Sequence, residues 1–324
     1  MPHNPFEQMQ KTVDIVNTSP HPTNKIAATV FGTNLDGRLY SVSHTNFWPA
    51  PILKNLGMDV RLGGAQGTPG SSSGTIHAET ACILSTNYCD GGSICITDPF
   101  CPNCAKNIAE AGIKTIYIDH KGFDKDFATR RADHFQTMSM QICEKAGIAI
   151  YEIRRKEQRL IPILEIPADY KPEEDWPVEI ERLPPDADFI EYIAQKTGPH
   201  KMALAWGIDR HGVLHGLIAR DHPAIGYTME HDADSIRHPP ENKYSLVLEP
   251  LNRLLMNAAR FGINIIDEKI YCSLAPTARE QVNFAGAALR TLYIGNPNEA
   301  RDEAALKALK TMREAGILII KTLP

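Results

Sequence analysis

The feature that most constrains this fold is a repeat inside the chain. The segment Ser93–Asp119 (SICITDPFCPNCAKNIAEAGIKTIYID) lies over Lys269–Gly295 (KIYCSLAPTAREQVNFAGAALRTLYIG) without a gap. Identities fall at Ile94/Ile270, Asn107/Asn283, Ala109/Ala285, Ala111/Ala287, Thr115/Thr291, Tyr117/Tyr293 and Ile118/Ile294. Flanking pieces recur in the same order. Phe189–Ile193 answers a first helix at Pro5–Asn17, and KMALAWG from Lys201 answers KIAATVFG from Lys25. Arg210-His211-Gly212 answers the turn Asn34–Gly37, and Lys307–Gly316 with Ile317–Ile320 answer a last helix and strand. Self-similarity at this spacing means one supersecondary unit used twice. A length of 324 residues suits two domains. The expected division is 1–155, a connector rich in proline and charge at 156–186, and a second domain at 187–324.

Within the first unit, Phe6, Met9, Val13 and Val16 have helical spacing, and Lys25–Gly32 and Arg38–His44 read as a hairpin around Asn34–Gly37. Arg61–Gly74 is rich in Gly and Ser and reads as loop, without the pattern of a phosphate loop. Ser93–Thr97 and Ile113–Asp119 read as strands, with a helix from Pro102 to Ala111 between them. A long helix, Lys125–Lys145, precedes the strand Ile148–Ile153. A helical crossover makes the last two strands parallel, because a hairpin would need only a few residues.

The chemistry concentrates in Ser71–Ile118. His77-Ala78-Glu79 is followed by Cys101-Pro102-Asn103-Cys104, with Pro99 just upstream. One imidazole and two thiolates are ligands that Zn²⁺ prefers, and three protein ligands leave the fourth position to water. Thr75 is placed to cap a helix beginning at Ile76, which puts His77 and Glu79 in its first turn. Pro102 opens the second helix, so Cys101 and Cys104 flank a helix start, where the dipole favours thiolate. Two helix starts thus converge on one metal. A structural zinc knuckle, or a buried histidine with two ordinary thiols, is the alternative, and it leaves Glu79 unexplained.

The pairing of H-x-E with P-C-x-x-C resembles the zinc-dependent cytidine/deoxycytidylate deaminase superfamily. One departure shows: Phe100 stands between Pro99 and Cys101. The resemblance implies an α/β chain of two cytidine-deaminase-like three-layer αβα domains, each on a mixed five-stranded sheet with parallel last strands. It implies His77, Cys101 and Cys104 as zinc ligands and Glu79 as proton shuttle. It also implies substrate contacts from Asn46 to a sugar, from the Ala78 N–H to a ring carbonyl, and from Asp98 and Pro99 to the pocket wall. The crossover helix is similar to the deoxycytidylate, guanine, riboflavin-pathway and tRNA-adenosine branches. The expected reaction is hydrolytic deamination of a cytosine nucleotide or nucleoside. Guanine or a pterin-like ring comes second and a tRNA base third, and a non-catalytic zinc assembly or sensor module is the rival from another class.

In the second unit Val247-Leu248-Glu249 is expected where His77-Ala78-Glu79 stood, and Thr277 and Glu280 replace Cys101 and Cys104. That unit therefore lacks zinc ligands, and its expected part is a pseudo-dimer with the first, a layout that also allows a homodimer. Net charge is −5, which disfavours a surface built for phosphate backbones, so a small molecule is the expected partner. An odd count of seven cysteines fits a reducing compartment. MPHNPFEQMQ has no signal pattern and no apolar run has spanning length, so the expectation is cytoplasm and no membrane.

Overall fold

The computed structural model describes residues 4–57, 74–124, 135–237 and 244–323. The expected loop Arg61–Gly74, except Gly74, lies outside these residues, as do Phe127 and Ala132 of the expected long helix.

Helix α1 (Pro5–Ile15) is capped by Asn4, whose side chain accepts from the Phe6 N–H, and has Pro5 at its first position. Strands β1 (Ala27–Thr33) and β2 (Leu39–Thr45) pair antiparallel through the expected hairpin. Asn34 Oδ1 accepts from the Asp36 and Arg38 N–H groups, and Gly37 takes a φ of 74° that a side chain would strain. After a short helix, α2 (Ala50–Asn55), come α3 (Ala78–Leu84), β3 (Ser93–Ile96), α4 (Pro102–Glu110) and β4 (Thr115–Asp119). A π-turn at Phe135–Ser139 leads into α5 (Met140–Lys145), followed by β5 (Ala149–Arg154) and β6 (Arg159–Leu164). The first sheet runs β2-β1-β3-β4-β5-β6. β3, β4 and β5 are parallel, as the crossover required.

The second half continues with β7 (Glu179–Arg182), α6 (Phe189–Lys196), β8 (Met202–Ile208), β9 (Leu214–Arg220) and β10 (His222–Pro223). Then follow α7 (Ala233–Arg237), β11 (Val247–Leu248), α8 (Pro250–Phe261), β12 (Asn264–Ala275), α9 (Ala278–Gly286), β13 (Thr291–Ala300), α10 (Glu303–Glu314) and β14 (Ile319–Lys321). This sheet runs β14-β13-β12-β8-β9-β7. Read from the other edge, five strands match the first sheet in order and sense, with β12, β13 and β14 parallel and β8 antiparallel to β12.

Each sheet has six strands, not the five expected. The connector supplies the extra ones: β6 pairs β5 and β7 pairs β9, both antiparallel at an edge. Pro162 sits in β6, which suits an edge strand, where a missing N–H costs no ladder bond.

Each half is a three-layer αβα unit. On one face of the first sheet, α1 packs Met9 against Phe31, Cys95 and Ile153. On one face of the second, α6 packs Phe189, Tyr192 and Ile193 against Leu204, Trp206 and Tyr271. The opposite faces share a single apolar core, in which α3, α4, α8 and α9 lie between the sheets. An ion pair closes that joint: Arg253 Nε donates to Glu110 Oε1 at 3.1 Å, with both side chains at 2% exposure or less. No described helix is long and apolar enough to cross a membrane.

Candidate functional site

Helix α3 begins two residues later than Thr75 suggested. Ile76 is drawn into an antiparallel bridge with Phe47, its N–H bonded to Phe47 O at 2.9 Å, so it stays extended. His77 becomes the N-cap, with φ −76° and ψ 148°, and Ala78 is the first helical residue. In α4, Cys101 is likewise the N-cap, Pro102 opens the helix, and Cys104 lies in its first turn. The two helix starts meet.

His77 Nδ1 lies 3.1 Å from Cys104 Sγ and 3.6 Å from Cys101 Sγ, and the two sulfurs are 3.6 Å apart. The seven cysteines, all among the described residues, form no disulfide. Metal–ligand bonds of about 2.0–2.3 Å at tetrahedral angles separate neighbouring donors by about 3.6–3.8 Å. Two of the three edges match that figure, and the third, from His77 Nδ1 to Cys104 Sγ, is about 0.5 Å shorter. This is the one group of such donors among the described residues. One N and two S donors suit zinc over the hard cations.

Glu79, at the second position of α3, is buried beside these donors, and its Oε2 has no hydrogen-bond partner in the protein. Burial pushes its carboxyl above the usual carboxylate range, against the pull of nearby His77. An orphaned buried carboxylate oxygen is costly unless something else occupies the site. The donor set and this oxygen together fit a zinc ion with a proton-carrying group beside it.

The other expected contacts are also buried. Ala78 is the first helical residue, so its N–H has no acceptor within the helix. Asp98 accepts from Thr97 Oγ1 at 2.6 Å. Pro99 follows it, and the backbone of Gly122 lies against Thr97 and Asp98 so closely that a Cβ there would meet Thr97 O at 2.2 Å. Asn46 is held from inside the protein. Its Oδ1 accepts from Ser19 Oγ and from the Ile26 N–H, and its Nδ2 donates to Asn24 O. Of the two Nδ2 hydrogens, this bond uses one. Phe100, the departure from the motif, is a core residue that meets Phe135 edge-on at 5.3 Å.

The second half has its own pair of helix starts, in a different register from the one expected. His222 pairs with Leu248 as Phe47 pairs with Ile76, so Glu249, the N-cap of α8, stands where His77 stands. Leu251, not Glu249, takes the place of Glu79. Thr277 and Glu280 do occupy the places of Cys101 and Cys104. Glu280 accepts from the Leu251 and Asn252 N–H groups with one oxygen and from Thr277 with the other, so a carboxylate ties the two helix starts together. Lys201 and Arg301 pair with Glu249. Leu274 and Ala275 stand where Asp98 and Pro99 stand, and the cavity they line with Leu251 and Glu280 is only about 10 Å³. That is room for about one water.

A larger cavity of about 320 Å³ lies between the halves. His77, Cys104 and Asn107 line it from one side, and Asn252, Arg279 and Asn283 from the other. Asn107 donates to Thr80 Oγ1 at 3.0 Å, and Asn283 donates to Asn252 Oδ1 at 2.9 Å. The sequence reading did not single out these residues. The signal was there: Asn107/Asn283 is one of the few polar identities of the repeat.

No family model matches this chain, and no curated protein does. Among solved structures it is similar to the dCMP deaminase of cyanophage S-TIM5. The apo form is 19% identical with a TM-score of 0.28, over 47% of this chain and 100% of that one. The form in complex with dCMP and dUMP is 19% identical with a TM-score of 0.29, over 45% and 94%.

Proposed function

We propose that the chain is a zinc-dependent hydrolytic deaminase of a cytosine nucleotide or nucleoside, of the deoxycytidylate type. The observation that carries this reading is the meeting of His77 Nδ1, Cys101 Sγ and Cys104 Sγ beside the unpartnered Glu79 Oε2. We place the catalytic unit in residues 1–155 and give 187–324 a scaffolding role, because Glu249, Thr277 and Glu280 present no soft donor.

Zinc supplies Lewis-acid polarisation of water, lowering its pKa toward about 7. The chain's residues handle protons and position. Glu79 accepts a proton at Oε2 from the attacking water and returns it to the ring nitrogen next to the aminated carbon. The C–N bond then breaks as Glu79 moves the second water proton to the departing nitrogen, which leaves as ammonia while the ring keeps the oxygen. A group that works as base and then as acid serves best with a pKa near the working pH, and burial moves Glu79 in that direction. The Ala78 N–H faces the ring carbonyl, Asn46 offers its remaining amide hydrogen to the sugar, and Asp98 and Pro99 shape the wall against the exocyclic amine.

The test is ammonia release from a panel of cytosine, adenine, guanine and pterin compounds, as bases, nucleosides and nucleotides. Cytosine compounds are expected to turn over fastest. In Glu79→Gln the rate is expected to fall about 10²- to 10⁴-fold with zinc content unchanged. Zinc retained with no ammonia from any compound would sink the enzymatic reading in favour of an assembly module.

A further inference from the structure

The strap Thr75-Ile76-His77 sets where the imidazole points, and helix α9 of the second half grips it twice. Arg279 Nη1 donates to the carbonyl of Thr75. Farther along α9, Gly286 makes room for the Ile76 side chain: a Cβ there would lie 2.6 Å from Ile76 Cδ1. The first half grips its counterpart in return. Lys106 Nζ of α4 donates to Val247 O at 2.7 Å, and Val247 stands in the second half where Thr75 stands in the first. So each half reaches across to the carbonyl two residues ahead of the other's N-cap. One of these N-caps is His77, the other Glu249. On the near side the strap is bonded through the bridge of Ile76 to Phe47 and through the His77 carbonyl, which accepts from the Ala81 N–H at 2.9 Å.

We propose that Arg279 is a positioning residue for the metal site, holding the His77 strap so that Nδ1 meets the two thiol sulfurs. This rests on the zinc reading given above. It gives the second half a part in the site that its own lost donors do not suggest: without α9 the first half has its three donors but not their alignment. Outer residues that orient a ligand typically contribute about ten- to a hundredfold in metal affinity.

The test uses the full chain. Zinc affinity is measured by chelator competition, and hydrogen exchange is followed at residues 75–77, in Arg279→Met, Arg279→Lys and Arg260→Met. Arg260 also joins the halves, to Asp90 at 2.7 Å, but away from the strap, so it controls for a loosened joint. Arg279→Met is expected to weaken zinc binding about ten- to a hundredfold and speed exchange at the strap. Arg279→Lys, which keeps a donor, should recover part of both, and Arg260→Met should change neither. Equal zinc affinity and unchanged exchange in Arg279→Met would overturn the proposal, as would equal losses in Arg260→Met. If the unaltered chain takes no zinc, the functional reading falls separately, and the exchange rates still decide whether Arg279 holds the strap.

Discussion

Cys104 and Glu280 stand at the third position of equivalent helices, so the same backbone presents a thiol in one half and a carboxylate in the other. A thiol there is a weak partner for backbone N–H groups, whereas a carboxylate can cap both helix starts by itself. Burial and the neighbouring Glu249 carboxylate push Glu280 up to about 7 from an unfolded value of 4.5. Between those values the native chain binds the proton that the unfolded chain has released. The stabilisation linked to this proton is thus complete below pH 4.5 and is lost as pH rises through about 7. Urea unfolding at pH 5, 6, 7 and 8 should show Glu280→Gln lacking this loss, so that the native chain's stability falls relative to the variant across the series. Parallel curves would contradict it. At this scale the donors were legible, since Cys-x-x-Cys at a proline-opened helix start and His-x-Glu at another carry their spacing in the sequence. The engagement of Asn46 was not, because its partners Ser19, Asn24 and Ile26 come to it only through the folded hairpin.

The helices and strands were mostly legible from apolar period and punctuation, and the exceptions have non-local causes. Thr75 has the chemistry of an N-cap, but the bridge between Ile76 and Phe47 competes for the same backbone and wins. The register of Glu249 was misjudged because α8 is longer than α3, and short alignments anchored on α9 do not fix it. The edge strands β6 and β7 looked like connector, since charge and Pro162 hide a period of two that only a waiting sheet edge makes stable. One turn packs against Asp98, which the proposed function places in the pocket wall. His120–Gly122 packs on Asp98 so tightly that Gly122→Ala must move it, at a cost of about 1–3 kcal/mol. The expected result is a lower melting temperature and a raised KM at unchanged zinc content, measured on the same preparation. An unchanged KM would remove Asp98 and its turn from the substrate wall.

At the scale of the whole molecule, the halves are joined by a core they share, and the joint is not symmetric. Arg253 meets Glu110, yet the positions equivalent to these two are Ala81 and Gly286, so the pair occurs once and in one direction. Like halves packed together would bury either charge alone. Read from chemical unfolding, Arg253→Met should therefore cost about 3–5 kcal/mol by removing the charge that faces Glu110. Glu110→Met with Arg253→Met should restore only part of it, because Arg253 also donates to Arg220 O and Trp176 O and Asn257 also donates to Glu110. The likeness of the two segments made the matching strand order of the two sheets legible in outline, but no periodicity announces a buried arginine. The shared scaffold also sharpens what the metal should do, because only one of its two pairs of helix starts carries soft donors. Zinc counted per purified chain by elemental mass spectrometry tests that directly. The account predicts one zinc ion per chain, still one in Glu79→Gln and none in Cys104→Ser; an unaltered chain free of zinc, or one that keeps its zinc in Cys104→Ser, would contradict it.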